Sequence, residues 1–265
     1  MKIGVFDSGL GGLAIARAIM RRLPEYDYLY LGDTKRVPYG GRSQATIHEF
    51  TSQALSYLFE HDCQLVILAC NTASAEALRK SQEEYLPRYF PDRRVLGMVI
   101  PTAEAVFESG DPNRVGVLAT SSTVESGAYV RELVHRKPGV DVVQVAAPLL
   151  VPLLENDGGK YLGPVLDDYM KPLQEASVEA IVLGCTHYCL LKEEVRNRIA
   201  VPVISQDEVI PEKLADYLCR HPEIECRLGR SGHTDYHVTD VTPGAMRLAA
   251  QLVHDSIILT RVDLT

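Results

Sequence analysis

Two cysteines occupy matching places in this chain. Residues 65–75 read LVILACNTASA and residues 180–189 read AIVLGCTHYC. Each segment begins as a continuous apolar run, the pattern of a parallel strand buried on both faces. Each then stops on a thiol followed by short polar side chains, Cys70-Asn71-Thr72 in the first and Cys185-Thr186-His187 in the second. Open α/β sheets bind ligands where a strand gives way to a helix, and backbone N–H groups at a helix start favour a thiolate. The structural alternative is a cysteine acting as a small buried hydrophobe, and that role is expected of Cys63, Cys219 and Cys226. Cys189 would lie one helical turn beyond Cys185 and is expected to pack rather than react. His187, two residues after a strand-end thiol, is placed to be its proton partner. Asp7 closes the first strand. It can cap the following helix together with Ser8, orient a thiol, or bind an ammonium group.

Two thiols facing one pocket suit racemisation at an α-carbon. That reaction needs a base on one face of the carbon and an acid on the other, and a thiolate–thiol pair serves both directions by exchanging roles. Ser8, Tyr39, Asn71, Thr72 and Thr186 supply hydroxyls and an amide that can hold a polar amino acid. The loop Ser8-Gly-Leu-Gly-Gly12 lacks the Lys-Ser/Thr of a P-loop and the spacing of a dinucleotide fingerprint. Its glycines are better explained by a close approach of backbone to a small ligand or a neighbouring helix. Two other classes stay open. One is a cysteine hydrolase built on Cys185, His187 and a carboxylate, which leaves Cys70 without a role. The other is a two-lobed binding protein without turnover.

The elements that would carry these groups alternate along the chain. Strands are predicted over 2–7, 27–31, the two thiol-terminated runs, 95–99, 114–118, 140–145 and 201–204. Helices are predicted over 13–23, 44–61, 72–85, after Thr102 to about 109, after Thr123 to about 135, up to about 176, and 207–220. The tail is less regular, with short strands near Glu225 and Tyr236 and a helix over 243–254. This is an α/β chain with mainly parallel sheets. The likeness of the two thiol segments suggests two similar halves.

With 265 residues and 46% hydrophobic content, the chain can build one large domain or two moderate ones. A formal charge of -8 argues against nucleic acid as a main partner. No signal peptide or membrane-length apolar run is present, so a soluble cytosolic protein with six reduced cysteines is expected. Cys185 and Cys189 are the only close cysteine pair, and no second pair follows, which is weak support for a structural zinc site.

The chain resembles the glutamate racemases of the cofactor-independent aspartate/glutamate racemase superfamily. The resemblance rests on FDSGLGG (6–12), GDTKRVPYG (32–40), ACNTAS (69–74), ATSSTVESGAY (119–129), VPLLE (151–155) and GCTHY (184–188), in order along nearly the whole chain. It implies two α/β domains related by a pseudo-twofold, 1–96 plus 208–265 and 97–207, with the active site in their interface. It implies that Cys70 and Cys185 are the acid/base thiols, Asp7 assisting the first, His187 and Glu155 the second. Asp7, Ser8, Tyr39, Gly40, Asn71, Thr72, Thr186 and His187 would contact substrate, and Thr120 and Thr123 would border the pocket. Glutamate would be interconverted without cofactor or metal, in a bacterial cytosol, to supply peptidoglycan synthesis. Aspartate or a hydantoin is the alternative substrate within the superfamily. The oligomeric state is not fixed by the sequence, and a homodimer is compatible with it. The chain departs from the family in carrying Cys189 where Pro usually follows GCTHY. The sequence opens directly on its first strand, whereas some members of the family have an N-terminal extension associated with activation by a cell-wall precursor, so that form of regulation is not expected.

Overall fold

The computed structural model describes residues 1–156, 158–253 and 257–264. Among these residues ten strands form two sheets. The first contains β1 (Lys2–Asp7), β2 (Tyr28–Gly32), β3 (Cys63–Leu68), β4 (Arg94–Leu96), β9 (Thr234–Val238) and β10 (Leu259–Arg261) in the order β10-β9-β2-β1-β3-β4. The second contains β5 (Arg114–Ala119), β6 (Asp141–Ala146), β7 (Ala180–Gly184) and β8 (Val203–Ile204) in the order β6-β5-β7-β8. Every strand pair in both sheets is parallel. Strands two, one, three and four of the first sheet therefore have their counterparts, in the same spatial order, in strands six, five, seven and eight.

The central strands are mostly apolar because both faces are covered, with polar residues such as Lys2, Asp7 and Gln64 at or near their ends. All six residues of β3 and all five of β7 are buried. Successive side chains then alternate between two cores. Leu65 and Ile67 join a cluster with Leu13, Ala16 and Ile19 of helix α1 (Gly12–Arg22), while Val66 and Leu68 join one with Leu55, Leu58 and Phe59 of helix α2 (Gln44–Glu60). In the second sheet Ile181 and Leu183 face one way and Ala180 and Val182 the other. After β8 the helix Gln206–Arg220 brings the chain back to the first sheet. Its Ile210, Leu214 and Leu218 pack in the same core as helix α1, and β9 then adds beside β2.

Several elements differ from the expectations. The helix over 72–85 is broken into α3 (Asn71–Glu76), a single turn at Leu78–Lys80, a wide π-type turn at Ser81–Tyr85 and a last turn at Leu86–Tyr89. Pro87 has no N–H to donate, so it fits the first turn of a new segment and not a helix interior. The strand over 95–99 stops at Leu96, and Val99 already begins the helix Val99–Glu108. The strand near Glu225 is instead a short helix, Pro222–Glu225, opened by its proline. The helix predicted over 243–254 is present as Pro243–Val253, and residue 254 lies outside the described residues. Cys63 is buried as expected, but Cys219 and Cys226 are exposed, so their role is not core packing.

Candidate active site

Four strand ends converge where the two sheets meet. In each sheet the strand order reverses beside its first strand, between β1 and β3 in one and between β5 and β7 in the other. Those are the crevices in which α/β sheets take ligands. Asp7 ends β1, Cys70 follows β3, Thr120 follows β5 and Cys185 follows β7.

Asp7 is 1% exposed. The Gly9 N–H donates to its Oδ2 at 3.1 Å, while Oδ1 is buried and has no hydrogen-bond partner among the described residues. Burial raises its carboxyl above the usual carboxylate range, opposed chiefly by the charge of His187 and the N–H groups of Gly12 and Gly9. The loop glycines show the close approach expected of them. A Cβ on Gly12 would lie 2.5 Å from Asp7 Cβ, and one on Gly11 would lie 2.4 Å from His187 Nδ1 and 2.6 Å from Thr186 Oγ1. The β1–α1 turn of the first lobe is thus seated directly on the strand-end residues of the second.

Cys70 is the N-cap of α3, its Sγ accepting from the Ala73 N–H at 3.4 Å. Its thiol donates to Ser8 Oγ at 3.3 Å. Burial, and next the charge of Asp7, push the Cys70 thiol up to about 12, against the opposing bonds from Ser8 and Ala73. Cys70 is therefore held as a thiol near neutral pH. The helix-start N–H alone, which the sequence suggested would lower it, is outweighed by desolvation.

Cys185 is also buried, in extended backbone at the head of a 3-10 turn, Thr186–Leu191. His187 lies beside it. Burial lowers the His187 imidazole, but hydrogen bonding and charge interaction with the Cys185 sulfur and the Glu155 carboxylate together outweigh burial and raise it to about 10. Its Nε2 is 2.9 Å from Glu155 Oε1. The alignment is poor for a hydrogen bond, so the contact is that of an ion pair. Cys189 donates its thiol proton to the Thr186 carbonyl at 2.8 Å, and burial pushes it up, which agrees with a packing role.

The His187 shift makes stability pH-dependent in a definite sense. A group raised from 6.5 to about 10 on folding contributes stability that is fully present below pH 6.5 and is lost as pH rises through about 10. The melting-temperature gap between wild type and His187→Gln should accordingly narrow as pH rises from about 8 to about 11. A gap constant over that interval would mean that the imidazole is not held charged.

The remaining candidates are partly engaged elsewhere. The Tyr39 hydroxyl donates to Asp33 Oδ2 at 2.6 Å. Asp33, fully buried, also accepts from Arg36 Nε at 2.6 Å and Thr239 Oγ1 at 2.9 Å. Gly40 sits against Thr120, where a Cβ would lie 3.3 Å from the threonine Cβ. Thr120 caps the short helix Ser121–Glu125 by accepting from the Thr123 N–H at 3.4 Å, and its hydroxyl is 3.2 Å from that of Thr72 across the lobes. The Asn71 amide bonds to Gln206 and Tyr129. Neither of those was a candidate in the sequence. Tyr129 closes one of the quoted motifs, whereas Gln206 carries no sequence signal. Among the described residues no group of three or more His, Cys, Asp and Glu side chains could hold a metal ion, and no helix is long and apolar enough to cross a membrane.

Two matched parallel-sheet lobes, each ending its third strand on a buried thiol, define a two-lobed α/β protein with a paired-cysteine site. The Asp/Glu/hydantoin racemase family model matches residues 13–209. A glutamate racemase of Dinoroseobacter shibae is 40% identical, the match covering 99% of each chain. Among solved structures, the glutamate racemase of Francisella tularensis in complex with D-glutamate superposes with a TM-score of 0.89 at 29% identity, covering 99% of this chain and 97% of that one. Isoform RacE1 from Bacillus anthracis superposes with a TM-score of 0.90, again at 29% identity and with the same coverage. The chain belongs to the Asp/Glu/hydantoin racemase family.

Proposed function

We propose that this protein is a glutamate racemase, an isomerase that interconverts L- and D-glutamate with Cys70 and Cys185 as its two acid/base groups. The observation that carries the reading is the pair of buried thiols at equivalent switch points of two matched sheets. The near-full-length similarity to glutamate racemases supports glutamate as the substrate. The two domains of the enzyme are taken as 1–96 plus 208–265 and 97–207, with the substrate enclosed between them.

The reaction balances without a redox step. A thiolate on one face takes the Cα proton and becomes a thiol, and the thiol opposite gives its S–H proton to the other face and becomes a thiolate. The configuration is inverted and the two sulfurs have exchanged states. Asp7 Oδ1, buried without a partner among the described residues, would accept from the substrate ammonium. That ammonium would offset the carboxylate charge that raises Cys70 and so ease its ionisation. His187, held charged by its neighbours, holds or returns the proton on the Cys185 side. The hydroxyls of Ser8, Thr72 and Thr186 are the donors for the substrate carboxylates, with Thr120 and Thr123 at the border.

The test is a circular-dichroism assay of L- and D-glutamate without added cofactor. Either enantiomer should lose its signal to zero, and product formed in deuterated water should carry one deuterium at Cα. Turnover of aspartate in place of glutamate, or racemisation without solvent label, would overturn the reading.

A further inference from the structure

The α3 segment that carries Cys70 at its cap is six residues long and ends at Ala77, where the helix breaks. A helix that short is not fixed by its own length. It is fixed by side chains. Ser74 donates to the Leu68 carbonyl at 2.8 Å and accepts from the Met98 N–H at 3.2 Å, which ties the far end of the segment. At the thiol end the tie is the Asn71 amide. Its Nδ2 donates to Gln206 Oε1 at 2.7 Å, and its Oδ1 accepts from Gln206 Nε2 at 2.7 Å and from the Tyr129 hydroxyl at 2.8 Å. Gln206 Nε2 is also 2.9 Å from the Tyr129 hydroxyl and 3.4 Å from Thr102 Oγ1. All four residues are at most 3% exposed, so water cannot replace a lost partner and each group depends on the others.

The placement of the three principal partners gives this cluster its meaning. Asn71 belongs to the first lobe, Tyr129 to the helix Ala128–Arg136 of the second, and Gln206 to the first turn of the helix that crosses from β8 back to the first sheet. With both lone pairs of its Oδ1 and one of its Nδ2–H groups engaged, the Asn71 side chain keeps one N–H donor beyond the cluster. We infer that Gln206 and Tyr129 are positioning residues that act through Asn71 to set where the Cys70 sulfur stands relative to the second lobe. This rests on the two-thiol reading above. On the Cys185 side the cluster is represented by the Tyr129 ring, which packs against Gly184 and lies within electrostatic reach of Cys185, whereas the amide-to-amide tie between Asn71 and Gln206 belongs to the Cys70 turn.

The inference predicts a one-sided lesion. In Gln206→Leu the Cys70 turn loses both amide bonds of its tie, while the Tyr129 ring that packs against Gly184 beside Cys185 is kept. Racemisation per folded enzyme should fall by about tenfold or more, with KM changed by less than about threefold, as expected when a reacting group is slightly misplaced. Proton transfer at Cys70 then becomes the slower of the two. With α-deuterated substrates, the isotope effect on kcat/KM should rise for the enantiomer whose proton Cys70 removes and fall for the other. Loss of folded protein alone moves neither. If Gln206→Leu does not fold, Tyr129→Phe removes one hydroxyl and carries the same measurement. Unchanged isotope effects, a shift of both in the same direction, or a rate within twofold of wild type would overturn the inference. A wild-type protein that fails to racemise glutamate would instead defeat the functional reading on which it stands.

Discussion

Cys70→Ala and Cys185→Ala should each lower racemisation of glutamate by at least about 10³-fold, within the range that a positioned acid or base contributes. The reason is geometric. Each thiol serves one face of the α-carbon, and inversion needs both faces in a single turnover. The residual chemistry separates a missing acid from a missing fold. A variant with one thiol can still remove the α-proton from one enantiomer and return a solvent proton to the same face. Each variant should therefore retain slow exchange of the α-hydrogen of one enantiomer in deuterated water, and the two variants should retain opposite enantiomers. Substituting Cys189, whose thiol is tied to the Thr186 carbonyl, should leave far more activity than either. Normal turnover by Cys185→Ala would remove that residue from the chemistry. Exchange of both enantiomers by one variant would show that a single group reaches both faces.

Gly11→Ala should be the most damaging single-methyl change in the site. The added carbon would fall 2.4 Å from His187 Nδ1, 2.5 Å from its Cε1 and 2.6 Å from Thr186 Oγ1, far inside contact distance. His187 and Thr186 are both buried, so neither side chain can swing into solvent to make room. The lobes must separate or the His187 ring must turn away from Cys185. A misplacement of that size costs about 10²-fold in rate, and overpacking costs about 1–3 kcal/mol of stability. Gly110→Ala is the control, since a Cβ there meets nothing within 4 Å. Steady-state kinetics and thermal melts of the two variants decide the matter. A Gly11→Ala enzyme that matches Gly110→Ala in both would mean that the turn and the His187 ring adjust independently.

Much of this was legible in the chain. Continuous apolar runs such as 65–68 and 180–183 mark strands covered on both faces, and a run that stops on Cys, Asn and Thr marks a strand end with a capped helix behind it. The two strand-end thiols and the alternation of strands with helices followed from that pattern. The irregular backbone did not. Nothing within 72–85 separates a regular helix from the broken path the chain takes: no Gly or Pro lies in that span, and the proline that opens the last turn, Pro87, comes after it. Gln206 was invisible for a different reason. Glutamine near a helix start is ordinary, and its role comes from partners far away in sequence, Asn71 and Tyr129. The electrostatics of Cys70 could not be read either. The capping N–H that lowers a thiol is local, whereas the burial and the Asp7 charge that raise it belong to the folded whole.

The two sulfurs occupy equivalent places in matched sheets, yet one has a carboxylate for its neighbour and the other an imidazole. The substrates are mirror images of each other and the site is not its own mirror image. In achiral water the two enantiomers have equal free energy, so the equilibrium constant is one and kcat/KM must be equal in the two directions. The inequality between the Asp7 side and the His187 side cannot favour either product at equilibrium. It can only appear as a matched difference, in which the direction with the larger kcat also has the larger KM by the same factor. A site that treats left and right differently at every atom is still bound to deliver a racemate.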